Sequence, residues 1–120
     1  MIYHICPREA WAKAQASGSY EADSLGTEGF IHCSAGDWVH VPATLRFRGR
    51  TDLVLLTVDE ELLTTKDEEL LTTKVVWEDG APPEPDGRQF PHVYGPIRTS
   101  AVVAVADYPP RPDGSFAPIA

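Results

Sequence analysis

The chain has 120 residues, 42% of them hydrophobic and 23% charged, and a formal net charge of -8 at pH 7. That length predicts one domain, residues 1–120, with a single modest core. The acidic balance excludes broad binding to a long nucleic-acid backbone, which needs clustered lysine and arginine. A small anion in a local basic pocket remains compatible with it.

No stretch approaches the ~18 apolar residues of a membrane span, so no membrane partner is expected. Met1-Ile2-Tyr3-His4 opens the chain without the basic and apolar regions of a signal peptide. The expectation is a cytoplasmic protein whose two cysteines, Cys6 and Cys33, are reduced thiols.

In chain order, Ile2-Tyr3-His4-Ile5 reads as a first strand. Pro7 suits a first helical turn, where its missing N–H is harmless. An alanine-rich helix over residues 8–16 follows, with Trp11 and Ala14 on one face and Gly18 ending it. Residues 20–28 read as a polar loop, and residues 29–34 as a second strand. Ser34 or Asp37 is positioned to cap the next helix. Pro42 restricts that helix to residues 41–47, with Gly49 as its stop.

Residues 53–58 (Leu-Val-Leu-Leu-Thr-Val) are nearly all apolar, which predicts a strand in the middle of a sheet. Residues 75–77 form another strand. Residues 81–87 (Ala-Pro-Pro-Glu-Pro-Asp-Gly) form a solvated loop that cannot pair. Residues 90–96 are extended and bounded by turns. Residues 101–106 form a last strand, and a proline-rich tail begins at Pro109, with a turn at Asp113-Gly114. Short strands with helices mainly in the first half indicate an α+β fold.

Residues 59–66 and 67–74 both read Asp-Glu-Glu-Leu-Leu-Thr-Thr-Lys. Two copies of eight residues are a local duplication, since repeat architectures need units of ~20–50 residues. A shift of eight residues turns a helix face by roughly 80°. Leu62-Leu63 and Leu70-Leu71 therefore cannot both face one core from one straight helix. One copy is expected in the parent position between Val58 and Val75, and the other to bulge outward or lengthen the helix.

Histidines carry the chemistry that can be read. His4, His32 and His92 lie in strand-like contexts, whose ends converge on common clefts; His40 lies near a helix start. If residues 28–34 alternate as a strand, His32 and Ser34 share a face and Cys33 points inward, so Cys33 and His32 do not form a nucleophile pair. Among Arg46, Arg48 and Arg50, Arg48 is the candidate clamp for phosphate or carboxylate. Glu28 and Glu78 are the candidate carboxylates. A zinc set of His4, His32, Cys33 and His92 lacks any paired ligand spacing, so no metal is expected.

The order Tyr3-His4-Ile5, Trp11, Gly18, Tyr20, Ser24-Leu25, residues 28–34, residues 46–49, Asp52-Leu53, Trp77-Glu78 and residues 90–96 resembles a small bacterial family of unknown function. Its hallmarks are Gly-Phe-Ile-His-Cys-Ser and Phe-Pro-His-Ile-Tyr-Gly-Pro; here the second has Val93 in place of isoleucine. That family usually passes from the central strand to Trp-Glu by one short turn. This chain departs there by about one octapeptide, which supports reading one copy as an insertion.

The family resembles the ADP-ribosyltransferase fold, which implies small split β-sheets, two or three short helices, and a cleft that in true transferases holds NAD. The resemblance implies His4 at the ribose-gripping position of the first strand and His32 with Ser34 lining the cleft. The third position falls to His92 or Tyr94, because no Glu stands in the expected place unless Glu78 serves. RNA 2′-phosphotransferases of the same fold use His and Arg there instead.

The expectation is thus a transferase handling NAD or ADP-ribose. His4, His32 and His92 would be catalytic. Tyr3, Ser34, Arg48 and Tyr94 would bind the ligand, with NAD as substrate. The alternative is a non-catalytic module that binds a nucleotide-like metabolite or a peptide.

Overall fold

Strand β1 (Ile2–Pro7) buries Ile2, His4 and Cys6 on one face, while Tyr3, Ile5 and Pro7 on the other stay half-buried. In this computed structural model, which describes residues 1–64 and 73–119, the period of two makes β1 a divider between two cores. Pro7 closes the strand and caps the next helix from an extended conformation. Helix α1 (Arg8–Ser17) buries Trp11 and Ala14, as its pattern predicts. Gly18 ends it in the left-handed region at φ 84°, its N–H bonded to the Ala14 carbonyl.

The predicted polar loop is in part ordered. Strand β2 (Ser19–Tyr20) is followed by a five-residue helix α2 (Asp23–Thr27). Asp23 in its first turn favours the helix dipole, and Leu25 packs on the core. The predicted second strand is shorter than its apolar run. Only β3 (Ile31–His32) pairs in a ladder, and Ser34 instead bridges Tyr3 by two 2.8 Å backbone bonds. The segment thus crosses from one sheet to another.

Helix α3 (His40–Phe47) carries Pro42 in its first turn, and Gly49 follows at φ 78°. Neither Ser34 nor Asp37 caps it, because the chain approaches through turns and Asp37 pairs with Arg88 instead. Strand β4 (Leu53–Val58) lies in the middle of its sheet, as its apolar run predicts. Helix α4 (Glu60–Thr64) is capped by Asp59, whose Oδ1 accepts the Glu61 N–H at 2.9 Å. Strands β5 (Lys74–Asp79), β6 (Gln89–Tyr94), β7 (Ile97–Arg98) and β8 (Val102–Asp107) complete the chain.

All pairings are antiparallel. One sheet has the order β1-β4-β8, a second β3-β6-β5, and β2 and β7 form a two-stranded ribbon. The described residues therefore hold three sheets and four α-helices, an α+β architecture with one helix more than expected. The extended 90–96 segment proves to be largely a central strand despite Pro91. The β3 ladder stops at His92, and at the next position only the Cys33 N–H bonds to the Pro91 carbonyl, at 3.3 Å. Proline has no N–H to return, which accounts for the shortness of β3.

The larger core lies on the His4 face of the first sheet, built from Ile2, Cys6, Trp11, Ile31, Val54, Leu56 and Val58 among others. The smaller core, on the opposite face, joins Leu53 and Leu55 to Val39, Ala43, Tyr108 and Phe116. The proline-rich tail supplies Phe116, which is almost fully buried and stacks on Tyr108 with ring centroids 4.9 Å apart. No helix is long and apolar enough to cross a membrane among the described residues.

The two octapeptides meet the described structure at their outer ends. In the first copy Leu63 is fully buried and Leu62 exposed. In the second, Thr73 is buried and donates to the Pro96 carbonyl at 2.7 Å, and Lys74 opens β5. Leu70 and Leu71 lie outside the described residues.

Candidate functional site

Strands β3 and β6 place His32 and His92 directly opposite each other, so both rings project from one face of the second sheet. Their centroids are 5.8 Å apart. Each ring is oriented by a carboxylate. His32 Nε2–H donates to Glu28 Oε2 at 2.9 Å, and His92 Nδ1–H donates to Glu78 Oε1 at 2.9 Å. Glu78 Oε1 also accepts the Tyr94 hydroxyl at 2.5 Å. The second ring nitrogen of each histidine has no hydrogen-bond partner among the described residues. A carboxylate that fixes one nitrogen defines which face of the ring can exchange a proton.

The carboxylates respond to the same contacts. Hydrogen bonding to His32 lowers the Glu28 pKa, and bonds from Tyr94 and then His92 lower that of Glu78. Both acids are thus held ionised as acceptors. The Tyr94 hydroxyl is raised in return by Glu78.

Phe30 ties the cluster together. Its ring stacks on His92 at 4.0 Å between centroids, meets His32 edge-on at 4.9 Å, and lies 5.4 Å from Tyr94. This leaves His92 only 8% exposed, whereas the His32 side chain is one-third open. At the flank, Arg88 forks onto Asp37 with two 3.2 Å bonds and stacks 4.4 Å over Trp38, which neighbours Phe90.

His4 lies beneath this surface. Its Nδ1 bonds to the His32 carbonyl at 2.6 Å, which makes Nδ1 the protonated nitrogen. Nε2 therefore accepts, and the Tyr20 hydroxyl donates to it at 2.8 Å. Burial drives the His4 pKa down to about 4, so the ring is neutral near pH 7. With both nitrogens engaged, His4 holds the main chain of His32 in place. The three imidazoles meet, with His4 and His92 buried and the His32 ring one-third open, and open hollows lie elsewhere, beside Val105 and beside His40.

The other expected ligand-binding residues separate. Tyr94 joins the histidine pair. Tyr3 faces away from His4 toward the smaller core, with its ring against Gly36. Ser34 is buried at the junction between sheets. Arg48 leaves the helix end and donates to the Asp113 carbonyl at 3.1 Å, fastening the tail, so the expected clamp is used elsewhere. Arg50 pairs with Asp52. Of these three arginines, Arg46 is the one whose charge reaches Glu28.

Cys33 is buried, and desolvation raises its pKa well above the usual thiol range; that of Cys6 is pushed up to about 11. Both are free thiols, and neither is a ready nucleophile. Among the described residues, no group of three or more His, Cys, Asp or Glu is arranged to hold a metal ion.

Phe30 is the residue that the sequence reading missed. Its signal is spacing: Phe30 and His32, like Phe90, His92 and Tyr94, stand two apart and share a strand face.

Comparison with solved structures gives a protein of similar shape and sequence. The crystal structure of protein CC0527 from Caulobacter crescentus matches with a TM-score of 0.79 at 36% identity, over 97% of this chain and 92% of that one. The solution NMR structure of CC0527 gives a TM-score of 0.73 at 36% identity, over 96% and 90%. No curated protein matches. The family model described as Protein of unknown function (DUF952) matches residues 5–105, and the chain belongs to that family.

Proposed function

We propose that the chain is a transferase acting on NAD, ADP-ribose or a 2′-phosphorylated RNA end, with His32 and His92 as its acid–base pair. The observation that carries this reading is the pair itself: two opposed imidazoles, each anchored by a carboxylate and each with its other nitrogen unpartnered among the described residues. On NAD, one such group can take the proton of an attacking hydroxyl while the ribose–nicotinamide bond breaks and nicotinamide leaves as a neutral base with the bonding pair; on an RNA end, the other can protonate the departing 2′-oxygen. The two rings meet edge to face at 5.8 Å between centroids, so a phosphate or ribose hydroxyl would approach from the open side of His32. Tyr94 borders the pair, Arg46 contributes the nearby positive charge, and His4 positions His32.

Phe30 over His92 also favours a second reading. A covered imidazole suits a module that binds a nucleotide-like ligand without turning it over. Calorimetry with NAD, ADP-ribose and 2′-phosphorylated oligonucleotides, followed by chromatography of the products, separates the two. The transferase reading expects binding and product, with His32→Ala and His92→Ala each removing turnover while circular dichroism is unchanged. Binding without product selects the module. No binding by any ligand at millimolar concentration refutes both readings.

A further inference from the structure

Strand β8 ends the sheet order β1-β4-β8 and pairs through one side only among the described residues. Five of its six residues are exposed, including Val103 at 49% and Val105 at 43%. Its sequence, Val-Val-Ala-Val-Ala-Asp, contains none of the lysine, proline or inward-pointing charge that usually blunts a sheet edge. A bulge disturbs only its first residues, opposite Thr57/Val58, and leaves the pairing regular from Ala104 onward. Beside it runs an open groove of about 420 Å³, lined by Trp11, Gln15, Thr99 and β8 itself.

We infer that β8 is a homodimer interface, on which the β8 of a second copy adds antiparallel to form a continuous six-stranded sheet. An open row of backbone donors and acceptors specifies a strand as the occupant. The charge pattern specifies the strand. In a chain of net charge -8, residues 101–106 carry no charge, so this edge is a face on which two acidic molecules can approach.

A two-fold axis through Ala104 sets Ala104 opposite Ala104 of the second copy, and Val103 opposite Val105 of the second copy, each pair sharing a sheet face. The pattern complements itself, as an isologous contact requires. The only acid, Asp107, already bonds to Arg8 at 3.2 Å, and the antiparallel register holds the two copies of it about 20 Å apart along the strand. A parallel arrangement would place them side by side.

The test is sedimentation and light scattering of the full chain from about 10 µM to about 500 µM, the range suited to a small interface. The expected result is a mass rising from 13.1 kDa toward twice that value. Val105→Lys, at an exposed position, should hold the chain monomeric across the range with its melting temperature within about 3 °C. Hydrogen exchange of the unmodified chain provides a reading that does not depend on the variant. Alternate β8 amides should become slower as concentration rises. A monomer at every concentration overturns the proposal. So does a dimer that Val105→Lys and Ala106→Lys leave intact, or one that forms without protecting β8.

Discussion

Acid should loosen this protein through His4 before its carboxylates titrate. In the folded chain His4 takes up its proton only near pH 4, against 6.5 for the free side chain, because burial disfavours the charged ring. The unfolded chain therefore binds more protons between those values, and stability falls as pH falls. The contribution is complete above about pH 6.5 and is lost progressively toward pH 4. A shift of that size corresponds to about 3 kcal/mol, at 1.36 kcal/mol per unit. That is a large share of the ~5–15 kcal/mol typical of a whole domain.

The depressed carboxylates Glu28, Glu78, Asp37, Asp52 and Asp113 lose their contributions only below their ordinary values, 4.5 for Glu and 3.8 for Asp. The interval from pH 6.5 to 5 thus separates His4 from them. Urea unfolding at half-unit pH steps measures the slope. His4→Gln should be less stable at pH 7 by about 1–3 kcal/mol, from the imperfect replacement of two buried hydrogen bonds. Its deficit should shrink steadily as pH falls to 4. Parallel profiles for the two proteins between pH 7 and 4.5 would refute the account of His4 as a buried neutral strut.

Leu63→Ala should cost about 2–4 kcal/mol and Leu62→Ala under about 0.5 kcal/mol by denaturant titration, since only Leu63 is fully buried. Gly95→Ala should lower stability by about 1–3 kcal/mol in thermal melts. Its φ of 137° disfavours a side chain, and an added Cβ would stand 2.8 Å from Thr73 Oγ1. Glu78→Ala should shift His92 from the Nδ1–H toward the Nε2–H tautomer in nitrogen NMR, because Glu78 is the acceptor that fixes the proton.

Most elements were legible from local rules. The apolar run of β4 marked a strand in the middle of a sheet, Trp11 and Ala14 marked the inner face of α1, and Gly18 marked its end. The departures have tertiary causes. β3 is short because it crosses between sheets beside Pro91, and β6 becomes a central strand because β5 and β3 flank it. Arg48 could not be assigned from spacing, since its partner is 65 residues away in the tail.

The sequence by itself determined the residue types of the site and their alternation: Phe30 with His32, and Phe90 with His92 and Tyr94, because a strand sends every second side chain to one face. Only the tertiary structure decided which imidazoles meet on one sheet face. The register of β3 against β6 sets His32 opposite His92, while the packing of β1 turns His4 into the core, and both depend on contacts between residues far apart in the chain.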